Sequence, residues 1–127
     1  MTILLDSHAF VWWLLDDKRL SPSAFSAIEQ DPEVYVSAVT AWEIAGKVRT
    51  GKWREAEILS EKFFDTISQY QLRPLPISLE HAHLAGSLPS IHRDPFDRML
   101  AAQAMVEEMP LVTADPAFKN FEVQVVW

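Results

Sequence analysis

Short apolar runs that break directly into helix-like segments recur along this chain, and that alternation constrains its fold more than any other feature. "TILLD" leads into "SHAFVWWLLDD", and "EVYVS" into "AVTAWEIAGKVRTG". "PLVT" is followed by the short helical turn "DPAFKN" and a last strand, "FEVQVVW". Strands separated by helices pair in parallel through crossovers, so the order implies an α/β layer fold around a mainly parallel sheet. Between these units, "LSPSAFSAIEQD" has a helix start at Ser21 with Pro22 in its first position. Gly51 is placed to stop the helix that carries "WEIAGKVRTG". "REAEILSEKFFDTISQY" reads as one helix with Ile58, Leu59, Phe63 and Ile67 inward. The prolines of "LRPLPI" confine it to an edge strand or extended segment, "SLEHAHLAGSLP" is a short helix, and "DPFDRMLAAQAMVEEM" is a long, nearly all-apolar one.

With 127 residues and no internal repeat, the chain reads as a single domain, residues 1–127. A chain of that size buries roughly two thirds of the surface its unfolded form exposes. It has no cysteine, which excludes disulfides and thiolate metal sites and fits a reducing compartment. Cytoplasm is the expected location. The apolar stretch "AFVWWLL" is too short to span a bilayer, and no basic segment precedes it, so no membrane or targeting role is expected. A net charge of −7 argues against nucleic-acid binding through a broad basic face; any such role must be local or carried by cations.

In a parallel sheet ligands bind beyond the carboxyl ends of the strands. Asp6 closes the first strand there and Asp115 follows "PLVT", while Glu43 lies in the helix after "EVYVS" and Asp94 and Asp97 open the long helix. Each has an ordinary alternative. Asp94-Pro95 and Asp115-Pro116 are typical helix starts, Asp6 or Ser7 could cap the first helix, and Glu43 precedes Lys47 by four residues, the spacing of a helix-surface ion pair. Asp97 departs from that pattern, because it lies in line with the inward residues Ala101 and Ala104. Asp94, able to cap the helix and pair with Arg98, ranks behind it. Gly46, one turn beyond Glu43, leaves that face open.

Several carboxylates in one cleft repel one another and hold protons unless cations compensate. An all-oxygen set without cysteine suits Mg²⁺ or Mn²⁺, ions that activate water and neutralise an attacked phosphate. Other residues carry less. The spacing of "HAH" at 81–83 favours a helix over a two-histidine metal face, and His92 belongs in a loop. Lys47, Arg49, Lys52 and Arg54 form a basic cluster that could hold a phosphate backbone or simply solvate a helix end. Adjacent Trp12 and Trp13 point about 100° apart on a helix, which leaves open an outward ring at a protein interface or a helix covered on both sides.

Taken together, "LLDSHAFVWWL", "VSAVTAWEIAGKVRTGKW", "HRDPFDRMLAAQA" and "LVTADPAF" resemble the successive motifs of PIN-domain ribonucleases, particularly VapC-like toxins of bacterial toxin-antitoxin modules. The resemblance spans nearly the whole chain. It implies a three-layer α/β/α sandwich and a metal-dependent endoribonuclease that binds one or two Mg²⁺ or Mn²⁺ ions through Asp6, Glu43, Asp97 and Asp115. Thr113 takes the hydroxyl position of the last motif, where it orients a carboxylate or water, and Asp94 belongs to the same motif as Asp97. Phosphate contacts from Lys47, Arg49, Lys52 and Arg98 are expected with an RNA substrate. The family also implies homodimerisation and inhibition by a cognate antitoxin protein. His8 stands where many PIN domains carry asparagine.

Two other classes compete. A receiver-type phosphoacceptor domain shares the length, acidity and strand-helix alternation, but it requires paired acids after the first strand where "LLDSH" has one. A noncatalytic binding module would use the acids only as caps.

Overall fold

The computed structural model describes residues 2–127. In chain order the elements are β1 (Thr2–Leu5), α1 (Ser7–Leu14), α2 (Pro22–Gln30), β2 (Glu33–Ser37) and α3 (Ala38–Arg49). A 3₁₀ turn at Arg54–Ala56 precedes α4 (Glu57–Glu61), α5 (Phe63–Gln69), β3 (Arg73–Leu75), α6 (Leu79–Ser87) and α7 (Pro95–Val106). β4 (Leu111–Val112), a second 3₁₀ turn at Pro116–Asn120 and β5 (Val125–Val126) complete the chain.

The five strands form one sheet in the order β3-β2-β1-β4-β5, with every pairing parallel. The chain builds outward from β1 to β2 and β3, then returns to the other side of β1 for β4 and β5. Its direction therefore reverses between β1 and β4, and such a switch point opens a crevice at the carboxyl ends of the two strands. A receiver-type sheet has the order 2-1-3-4-5 instead, so the topology excludes that alternative.

Side chains alternate across the pleat, and β1 supplies both cores. Ile3 and Leu5 pack with Phe10, Ala24, Ile28 and Ile44 on one face. Leu4 packs with Leu100, Ala101, Ala104, Leu111 and Phe118 on the other. Two helical layers thus sandwich the sheet, the first led by α1 and α2 and the second by α6 and α7. Among the described residues no helix is long and apolar enough to cross a membrane.

Most local signals act as the sequence implies. Ser21 caps α2 through a bond from the Ala24 N–H, Gly51 adopts φ +73° just after α3, and the proline-bearing β3 sits at a sheet edge. The segment expected as one helix over 54–70 is instead a 3₁₀ turn and two short helices meeting at Lys62. Leu59, Phe63 and Ile67 recur every four residues and reach the core, whereas Ile58 lies off that line and is exposed. Trp12 and Trp13 are both partly covered, Trp12 by His8 and Trp127, and Trp13 by Tyr70 with its indole N–H on Glu29. The helix is therefore flanked on both sides, with both rings partly exposed.

Candidate active site

Asp6 follows the last residue of β1 and performs two structural tasks. Its backbone N–H donates to the Val112 carbonyl at 3.0 Å, fastening the end of β1 to β4, and its Oδ1 accepts from the Ala9 N–H at 2.7 Å, capping α1. The carboxyl is buried, and that burial raises its pKa from 3.8 to about 7. Bonds from Thr113 and Ala9 pull the value down, while the charges of Asp97 and Glu43 push it further up.

Glu43 reaches the same region from the second turn of α3, a helix capped by Ser37 Oγ. Both of its oxygens are engaged. Ser7 Oγ donates to Oε1 at 2.6 Å, and Lys47 Nζ donates to Oε2 at 2.6 Å. Ser7 is buried and its Oγ also lies 3.2 Å from Thr40 Oγ1, so the start of α1 and α3 are joined by a polar knot next to Asp6. Open space surrounds Gly46, as its lack of a side chain implies.

Asp97 stands in the first turn of α7, with its carboxylate pKa raised by burial and by the charges of Asp94 and Asp115. Its Oδ2 lies 2.8 Å from His92 Nε2. Asp94 caps α7, its Oδ1 accepting from the Phe96 and Asp97 N–H groups at 2.9 and 3.1 Å. The expected Asp94–Arg98 ion pair does not form. The Arg98 guanidinium donates instead to four carbonyls: Ala85 at 2.8 Å, Leu88 at 2.7 Å, Ser90 at 3.2 Å and His92 at 2.8 Å. Four of the five Arg98 N–H donors are thus engaged by the end of α6 and the loop before α7.

Past β4, Thr113 is buried and its Oγ1 accepts the Asp115 N–H at 3.0 Å, while its side chain favours the charged form of the nearby Asp6 carboxyl. Asp115 is exposed at the rim and caps the following 3₁₀ turn through the Ala117 N–H. His8 is close enough to feel Glu43, Lys47 and Asp115, although burial dominates and lowers its pKa.

Asp6, Glu43, Asp97 and Asp115 therefore come from four separate elements toward the carboxyl ends of β1 and β4, where the charges of Glu43 and Asp97 act on Asp6 and that of Asp115 acts on Asp97. Among the described residues no three Asp, Glu, His or Cys side chains are grouped as ligands of a single ion. The donor set nevertheless fits a hard divalent cation. It consists of carboxylate oxygens, it includes a buried carboxyl held near neutrality, and its members repel one another.

Lys47, half-buried, belongs to the site as the partner of Glu43, while Arg49 and Lys52 stand exposed at the end of α3. "HAH" lies in α6, where buried His81 caps its own helix by accepting the Ser78 N–H and faces Glu107 at 3.0 Å. Sequence patterning missed three groups near the site: Ser7, His92 and the Ser37–Gln103 bond that ties the cap of α3 to buried Gln103 of α7. For Ser7 and His92 a signal existed in their closeness to Asp6 and Asp97. Gln103 gave one as a polar residue inside an alanine-rich helical face.

The PIN-domain family model matches residues 3–123. The chain is a member of the PIN-domain family. Ribonuclease VapC22 of Mycobacterium tuberculosis is 34% identical to it over 121 residues, covering 94% of this chain and 91% of that protein. Among solved structures, VapBC2 from Rickettsia felis bound to a promoter DNA fragment superimposes with a TM-score of 0.70 at 17% identity, over 98% of this PIN domain and 97% of that chain. A toxin-antitoxin complex from Klebsiella pneumoniae gives 0.65 at 19% identity, over 95% and 91%. At those identities the structural matches establish the shared α/β/α sandwich alone.

Proposed function

We propose that this PIN domain is a metal-dependent endoribonuclease, the toxin of a toxin-antitoxin pair, acting in the cytoplasm. The observation that carries the proposal is the convergence of Asp6, Glu43, Asp97 and Asp115, each from a different element, at the switch point between β1 and β4. The name of the ribonuclease at 34% identity supports RNA as substrate, and the Klebsiella pneumoniae complex supports an antitoxin partner. Homodimerisation follows from the motif resemblance alone.

Asp6, Asp97, Glu43 and Asp115 would hold one or two Mg²⁺ or Mn²⁺ ions. A bound divalent ion supplies Lewis acidity at the phosphate and a water of lowered pKa. The protein's own groups divide the remaining work. The Ala9 N–H holds Asp6 Oδ1, and Ser7 and Lys47 hold the two oxygens of Glu43 in place. Asp115, exposed at the rim, is the acid best placed to orient an incoming water. Arg49 and Lys52 offer positive charge to the RNA backbone from the end of α3, and Asp94 sets the start of α7 that presents Asp97.

Incubating purified, antitoxin-free protein with a mixed RNA pool in Mn²⁺, Mg²⁺ or EDTA tests this. Cutting in at least one metal and none in EDTA is expected. Intact RNA in every condition, from protein shown to be folded, contradicts the proposal.

A further inference from the structure

His92 sits in the irregular stretch between α6 and α7, five residues before Asp97, and the chain spends considerable hydrogen-bonding capacity on holding it there. Arg98, the neighbour of Asp97 in α7, turns back and grips the carbonyls of Leu88, Ser90 and His92 itself. The His92 N–H is bonded to Ser90 Oγ at 3.2 Å, and its ring meets Phe121 edge-on with centroids 5.7 Å apart. Backbone and ring are thus fixed independently, and the ring's Nε2 is delivered to Asp97 Oδ2 at 2.8 Å.

Asp97 needs such a partner. Its side chain is 20% exposed, and a carboxylate in the first turn of a helix can rotate about χ2 unless one oxygen is pinned. Pinning Oδ2 leaves Oδ1 as the oxygen through which Asp97 can ligate. A group that orients a ligating carboxylate is commonly worth about 10–100-fold in metal affinity. Building on the metal-dependent reading of the site, we infer that His92 is a positioning residue for Asp97: its Nε2–H holds the carboxylate in the orientation that binds the cation, and Arg98 holds His92. The arrangement forms a closed local circuit in which α7 grips the loop through Arg98 and the loop returns to α7 through His92. A neutral imidazole suffices, since only one N–H is required.

The competing explanation is packing of the ring against Phe121, and the two roles predict opposite orders of variants. His92→Gln keeps a donor near the Nε2 position but loses the ring. His92→Phe keeps a ring but loses the donor, and His92→Asn keeps polarity but is too short to reach Asp97. The measurement is Mn²⁺ affinity by calorimetry on wild-type and variant proteins, with thermal melts as folding controls and RNA cleavage followed across a Mn²⁺ titration. The inference predicts that the Phe and Asn variants bind Mn²⁺ at least about tenfold more weakly and need correspondingly more Mn²⁺ to cleave, while the Gln variant stays within about threefold of wild type. If the Phe variant matches wild type, or the Gln variant falls as far as the Asn variant, His92 does not position Asp97. Should wild-type protein itself bind no Mn²⁺, the metal-dependent reading fails first and this inference with it.

Discussion

Ser7 and Glu43 meet across the carboxyl edge of the sheet, with the Ser7 hydroxyl 2.6 Å from Glu43 Oε1 and only 2% of Ser7 exposed. A buried carboxylate that loses a donor keeps its desolvation cost and loses the compensation. Ser7→Ala is accordingly expected to destabilise the protein by about 1–3 kcal/mol in urea unfolding and to lower cleavage. Ser7→Thr, which retains the hydroxyl, is expected to recover part of both losses.

Asp6 makes stability depend on pH in a defined direction. Its pKa is 3.8 in the unfolded chain and about 7 in the folded one, so between those values the folded state holds a proton that the unfolded state has released. The unfolded state then binds fewer protons, and stability falls as pH rises from about 4 through about 7. Asp6→Asn should flatten that dependence. In EDTA at pH 8 the variant is expected to melt above wild type, by a free energy on the order of 2–4 kcal/mol, while showing no cleavage. A variant that melts below wild type at pH 8 and keeps the same pH slope would remove burial of this carboxyl as the cause.

Lys47 compensates Glu43 in the absence of a divalent ion. Lys47→Met leaves a buried carboxylate without its cation, and because the Lys47 side chain is 35% exposed the cost should be about 1–2 kcal/mol, below that of a fully buried pair. The more telling expectation is thermal. Mn²⁺ should raise the melting temperature of Lys47→Met by more than it raises that of wild type, because the ion then takes over the missing charge.

Arg98 serves four carbonyls with a fork that lysine cannot imitate. Arg98→Lys is predicted to speed amide hydrogen exchange across residues 88–92 and to cost about 1–3 kcal/mol. Its effect on RNA affinity at saturating metal should be small. A large loss of RNA binding with unchanged exchange would return Arg98 to the phosphate-contacting role suggested by its charge.

Local rules made much of the fold legible. Ser21-Pro22, Asp94-Pro95 and Gly51 mark helix ends through chemistry confined to a few neighbouring residues, and β1 and β2 are apolar runs too short for core helices. The break at Lys62 was not legible, because the apolar spacing of "REAEILSEKFFDTISQY" suits one straight helix and only packing shows Ile58 to be off the buried line. The same division applies to the candidate site. Asp6 and Asp115 after β1 and β4, Glu43 in the helix after β2, and Asp97 at the start of α7 can be read from the chain, since strand ends and switch points follow from topology. Helix spacing suggested an Asp94 partner for Arg98, whose observed partners are backbone carbonyls that no side-chain pattern records. His92 was visible only as a loop residue, because its bond to Asp97 depends on how Arg98 folds the intervening chain.

The central claim is that four carboxylates from four elements act as one cation site. It is tested most directly by titrating Mn²⁺ into wild-type protein and Asp97→Asn while assaying RNA cleavage on the same samples. Wild type should show saturable binding and metal-dependent cutting, with both lost or severely weakened in the variant although it melts cooperatively. Wild-type-like ion binding and cleavage by folded Asp97→Asn would contradict it.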